Sequence, residues 1–180
     1  MQSSCQIQKK ILQQLLQQVI ADYKRINKIK AMEFSERMKK LVEEYNNRHF
    51  DDFTVQFFDE VTKQLNELLN DIQKDKEHFK ELGISFEEKA FYDILVSCAK
   101  KFYFENQYLD DKMKDLAKKV KALVDDKTCY TDWNQQIDVK PEMEADLMIL
   151  LDDNGYLPVP RNEVYNEVFE QAENFKKYAE

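Results

Sequence analysis

The stretch TVQFFDEVTKQLNELLNDIQKDKEHFKELGISFEE, residues 54–88, decides the fold class. Val55, Phe58, Val61, Leu65, Leu68, Leu69, Ile72, Phe79 and Leu82 recur in it at helical spacing, with charged and amide side chains on the other face. The pattern predicts a helix over 54–82, which at 1.5 Å per residue spans roughly 40 Å. Gly83 follows where a helix is ended by a residue with left-handed backbone. Ser85-Phe86-Glu87-Glu88 then reads as a capping box that starts the next helix. The serine oxygen accepts from the amide three residues on, and the glutamate reaches back.

Outward from this segment the same period recurs. Ile7, Ile11, Leu15, Val19 and Ile26 mark an amphipathic helix over about Gln6–Lys28, with Ser3 or Ser4 as its cap. Helices follow at about Met32–Asn47, from Ser85 to about Phe102, and at about Asp110–Asp125. A further helix has Pro141 in its first turn and Gly155 at its end, and the last is capped by Asn162. The chain has only 2 glycines and 3 prolines in 180 residues, too few for the tight turns a sheet demands. The expected class is all-α, with about seven helices, several of them long, in an irregular helical bundle. Residues 1–30 are expected to form a helix leading to upstream domains, and 31–180 the helical domain proper.

Two isolated glycines exclude a phosphate-binding loop, because only closely spaced glycines let several backbone amides approach a phosphate. Cys5, Cys98 and Cys129 are widely spaced and odd in number, which predicts neither a disulfide framework nor a zinc site. No apolar run approaches the roughly 20 residues of a membrane span, and the N-terminus lacks a signal peptide's regions, so a cytoplasmic location is expected. The single Asp75-Lys76-Glu77-His78 is one match where a di-iron bundle needs two, and reads as a solvated stretch.

Charge is unevenly placed. Asp132–Glu180 holds 12 acidic and 4 basic residues, so the whole net charge of -8 sits there, and the remainder balances at 23 of each sign. Such a block reads as a solvated face, repels nucleic acid and favours a basic protein partner. Within it Glu142, Glu144, Asp146, Asp152 and Asp153 are candidate partner contacts. Asp152 and Asp153 stand at a helix C-terminus, where the macrodipole disfavours anions and a partner's cation would offset them. Asn46, Asn47 and Arg48 are a further candidate contact group, or a helix terminator. Lys24, Arg25, Lys28 and Lys30, and again Lys112, Lys114, Lys118, Lys119 and Lys121, form basic clusters. They read as solvated faces or, alternatively, as a nucleic-acid contact surface. Asp51-Asp52 and Asp110-Asp111 precede helices and read as solvated charge favoured by the dipole. Trp133, Gly83, Gly155, Ser85 and Glu88 are expected to be structural, the tryptophan as core.

Several stretches in order resemble the C-terminal helical region of type I restriction enzyme R (motor) subunits. They are Glu44-Tyr45-Asn46-Asn47-Arg48, then Gly83-Ile84-Ser85-Phe86-Glu87-Glu88-Lys89-Ala90-Phe91-Tyr92-Asp93, then Leu116-Ala117-Lys118-Lys119-Val120. Thr131-Asp132-Trp133 and a helix ending in Gly155-Tyr156 complete the set, which runs from about Ala31 to about Ala172. The resemblance implies a parent with nuclease and ATP-driven motor domains upstream, using ATP and Mg and translocating duplex DNA. It also implies a tail that docks on methyltransferase and specificity subunits. It carries no catalytic residue, cofactor site or metal ligand onto this chain, and the acidic C-terminal third predicts weak or no DNA binding by the chain alone. Two departures stand out. The helix before Gly155 is acidic where the family's is typically basic, and Leu157 separates Tyr156 from Pro158.

Overall fold

The computed structural model describes residues 2–47, 55–103, 108, 110–129, 133, 138–156 and 161–178. Seven helices account for nearly all of them: α1 (Gln2–Lys24), α2 (Lys28–Asn46), α3 (Val55–Leu82), α4 (Phe86–Lys101), α5 (Asp110–Lys127), α6 (Val139–Asp153) and α7 (Arg161–Lys177). There is no strand among the described residues, and the class is all-α. Packing divides the chain into two compact units, Met1–His78 and Phe79–Glu180. Arg48, His49, Asp51, Asp52, Thr54, Phe104, Thr131, Asp132, Leu157, Pro158 and Pro160 lie outside the described residues.

In the first unit, Leu16, Ile20 and Tyr23 of α1 meet Ala31 and Phe34 of α2 and Val61, Leu65, Leu68 and Ile72 of α3. Arg37 pairs with Asp71 at 2.7 Å, and the Tyr45 and Phe57 rings stack at 5.6 Å, so α2 and α3 run antiparallel. The Tyr23 hydroxyl donates to Asp75 on α3. Two local details depart from the sequence reading. α1 begins at Gln2, so Ser3 and Ser4 lie inside it instead of capping it. It also ends at Lys24, because Asn27 starts α2: extended at φ -143°, it accepts from the Lys30 amide at 3.1 Å and is itself buried. An asparagine at this position satisfies an amide that the helix cannot. Leu16, Ile20 and Tyr23 on α1 are buried, whereas Ile7, Ile11 and Leu15 remain 56%, 59% and 47% exposed.

The second unit is an up-and-down arrangement of α4 to α7, in which α4 packs on α5, α5 on α6, α6 on α7, and α7 back on α4. Its core is Phe91, Ile94, Leu95 and Cys98, Met113, Leu116 and Val120, Met143 and Leu147, and Val164 and Val168, with Trp133 fully buried. Gly83 (φ 66°) ends α3 and Gly155 (φ 69°) ends α6. In both turns the next amide, of Ile84 or Tyr156, reaches back five residues, to Phe79 or Leu151. α7 starts at Arg161, so Asn162 lies in its first turn and is not the cap. No described helix is long and apolar enough to cross a membrane.

Candidate functional site

The charged side chains of the second unit are placed by where the four helices end. α4 and α6 finish at one end of the bundle, where α5 and α7 begin. There Lys101 pairs with Glu163, and the Tyr108 hydroxyl donates to the Asn154 carbonyl at 2.9 Å. The Lys119 Nζ donates to the Asn154 side chain at 2.7 Å. At the other end Lys121 pairs with Glu87 at 2.7 Å, and Lys140 with Glu173 at 2.8 Å. The same end holds Lys127, which reaches Asp146 at 2.7 Å and Glu142 at 3.5 Å.

The lysines of α5 are therefore largely engaged within the domain. Lys114 bonds Asp111 and Asp110, at 2.8 and 3.0 Å, and those bonds hold its ammonium above the usual lysine range. Partial burial works to lower the Lys121 pKa, but the carboxylates of Asp125 and Glu87 outweigh it and raise it. Lys127 is raised by its bond to Asp146 first. Lys119 pairs with Asp115 at 2.7 Å. Of the α5 lysines, Lys112 and Lys118 are exposed without an ion pair among the described residues. Two such lysines make a poor phosphate rail, because counterion release scales with the number of phosphates neutralised.

The acidic candidates separate in space. Glu142 and Asp146 lie together on α6 beside Lys127. Glu144, two residues along, points elsewhere and is half-buried. Asp152 and Asp153 end α6 and are exposed. Asn46 is the last residue of α2, and Asn47 is its C-cap, donating its backbone N–H to Glu43 at 2.9 Å; both are exposed. Ser85 and Glu88 form both bonds of the capping box, at 3.1 and 2.6 Å.

Three features escaped the sequence reading. The first is Lys89 with Asp93, an ion pair at 2.5 Å whose side chains are 3% and 6% exposed. Its signal was present, a lysine and an aspartate four apart among Ala90, Phe91 and Ile94. The second is Tyr103, 91% exposed and held at φ 60° at the end of α4. The third is the pairing of Lys127 with α6, which depends on which helix faces meet. Burial pushes the Cys98 thiol up to about 12, with Glu163 and Glu167 adding to the shift, so it stays protonated at neutral pH. The Tyr156 hydroxyl, raised by its burial, donates to the Leu95 carbonyl at 2.7 Å. Among the described residues no group of three potential metal ligands converges.

An all-helical chain whose second unit is an antiparallel four-helix arrangement belongs, by architecture, with the helical bundles. The sequence carries the assignment further. Residues 2–178 match the family model of the type I restriction enzyme HindI endonuclease subunit-like C-terminal region, and the chain belongs to that family. A curated protein of Methanocaldococcus jannaschii, named "Putative type I restriction enzyme MjaIXP endonuclease subunit", is 30% identical over 151 residues. That match covers 82% of this chain and 13% of the relative, so the chain spans about an eighth of the relative's length. No solved structure matches it.

Proposed function

We propose that the chain is a non-catalytic C-terminal docking domain of a type I restriction endonuclease subunit. It holds an ATP- and Mg-dependent, DNA-translocating and cleaving subunit on the methyltransferase and specificity subunits. The observation that carries this reading is the engagement of the α5 cations by carboxylates at 2.5–3.5 Å. With those charges neutralised in place, the basic stripe loses its attraction for phosphate, while the α6 acids keep an exposed outer edge. Membership in a family defined by the C-terminal region of endonuclease subunits supports the context. Engagement of the methyltransferase core rests on the sequence resemblance.

The test is binding of the purified chain to a reconstituted methyltransferase–specificity core, beside duplex DNA alone, at two salt concentrations. The same preparation is assayed for ATP turnover and DNA cleavage. Binding to the core, with no turnover, no cleavage and no DNA binding, is the expected result. Strongly salt-dependent binding to DNA alone, or ATP turnover above background, would overturn it.

A further inference from the structure

α6 has apolar side chains all around it, and some of them stay uncovered. Met143, Leu147 and Leu151 are buried, yet Ala145 is exposed on the outer side and Ile149 is 59% exposed there. A helix that is apolar on every side is ordinarily covered on every side. At 100° per residue, Asp138, Glu142, Ala145, Ile149, Asp152 and Asp153 fall along one outward row, all of them exposed. The row is roughly 22 Å long. Its apolar residues lie in the middle and its acids at the two ends. The one lysine of α6, Lys140, is turned to the other side, where it pairs with Glu173. Asp138 stands at the start of the helix without using its side chain as a cap.

We infer that this row is the contact face of the docking domain. Its occupant is a basic protein surface that presents one apolar side chain between flanking lysines or arginines. The inference rests on the docking reading and gives it a place and a partner chemistry. An apolar centre inside a polar rim is the anatomy of a protein interface, and the centre is where binding energy concentrates. The acids select the occupant. A second copy of this face would set carboxylates against carboxylates, and nucleic acid or an anionic lipid surface would be repelled. Lys127 offsets Glu142 and Asp146 at one margin, and Asp138 and Asp153, both exposed, keep the sign of the row negative.

The test measures binding of the full chain to the methyltransferase–specificity core for three variants. In Ile149→Lys the anchor is replaced, and in Asp152→Lys/Asp153→Lys the rim is reversed. Ile11→Lys places the same change on the exposed side of α1. Circular dichroism checks that each is folded. Ile149→Lys should weaken binding at least about tenfold, mainly through faster dissociation. The double reversal should slow association several-fold, an effect that shrinks as salt rises, while Ile11→Lys leaves both rates unchanged. Unchanged binding by Ile149→Lys, with the native chain bound, overturns this inference and leaves the docking reading standing. No binding by the native chain overturns the docking reading. The face is then probed with a synthetic lysine–leucine helical peptide, followed by amide NMR shifts. Shifts confined to residues 138–153 support the partner chemistry, and shifts spread over other acidic surfaces overturn it.

Discussion

Three described residues have left-handed backbone, each just past a helix end: Gly83, Gly155 and Tyr103. An L-residue there crowds its Cβ against the carbonyl oxygen, at a cost of roughly 1–2 kcal/mol. Glycine escapes that cost but loses more freedom on folding, by about 0.5–1 kcal/mol. At 91% exposure the Tyr103 ring contributes almost no burial to offset the strain. Tyr103→Gly should therefore stabilise the domain by about 0.5–1 kcal/mol, the difference between those two terms. Tyr103→Ala keeps the Cβ and should gain nothing. The reverse change has a clean counterpart, because a Cβ added at Gly83 or Gly155 meets nothing within 4 Å. Gly83→Ala and Gly155→Ala should each lose about 0.5–1 kcal/mol from backbone strain alone. The assay is urea unfolding followed by circular dichroism, with the midpoint shift compared at constant slope. A loss of stability in Tyr103→Gly greater than in Tyr103→Ala would refute the argument, since both lack the ring and the difference would mean that glycine's freedom in the unfolded chain outweighs the strain of the Cβ.

Lys89→Met removes the ammonium paired with the buried Asp93 carboxylate and should cost about 3–5 kcal/mol, whereas Lys89→Met/Asp93→Leu should recover much of it. Equal losses in the single and double variants by the same unfolding assay would sink this. Asn27→Ala removes the cap on the Lys30 amide and should cost about 1 kcal/mol, read as a lower thermal midpoint. In the native chain a thiol reagent at pH 8 should label the exposed Cys129 and leave the buried Cys98 untouched until urea is added. Because the Cys98 pKa is raised from 9.0 to about 12 on folding, the unfolded chain sheds that proton first. This group's contribution is intact below pH 9 and lost as pH climbs from 9 toward 12. Cys98→Ala should flatten the alkaline decline in stability, and an identical decline in both proteins would contradict the assignment.

The helices were legible because their determinants are local. The stripe through Leu65, Leu68 and Ile72, the Ser85–Glu88 box and the two terminating glycines act within a turn or two of themselves. α1 was drawn too long because Ile26 continues its period. The competing signal, Asn27 as the cap of α2, depends on a single side chain turning back to one amide. Charge was the harder quantity. Asp132–Glu180 reads from sequence as one acidic block, but helix pairing distributes it. Glu163 faces Lys101, Glu173 faces Lys140, and Asp146 faces Lys127. What remains outward on α6 is a row that includes Asp138 and leaves out Glu144. Partners that lie 33 or 62 residues apart are fixed by which faces meet, and no local pattern records that.

The order of α4 to α7 around their bundle has a consequence for synthesis. Three of its four packing seams join helices adjacent in the chain, and such contacts form fast because little loop entropy is lost. The fourth, α7 against α4, joins Phe91 to Phe175 and Lys101 to Glu163. On the ribosome α4, α5 and α6 can therefore collapse as they emerge, with Phe91 of α4 still without its partner Phe175. Only the arrival of α7 closes the ring. During that interval the nascent domain exposes an apolar edge the finished one lacks, and chaperones or neighbouring chains meet it there.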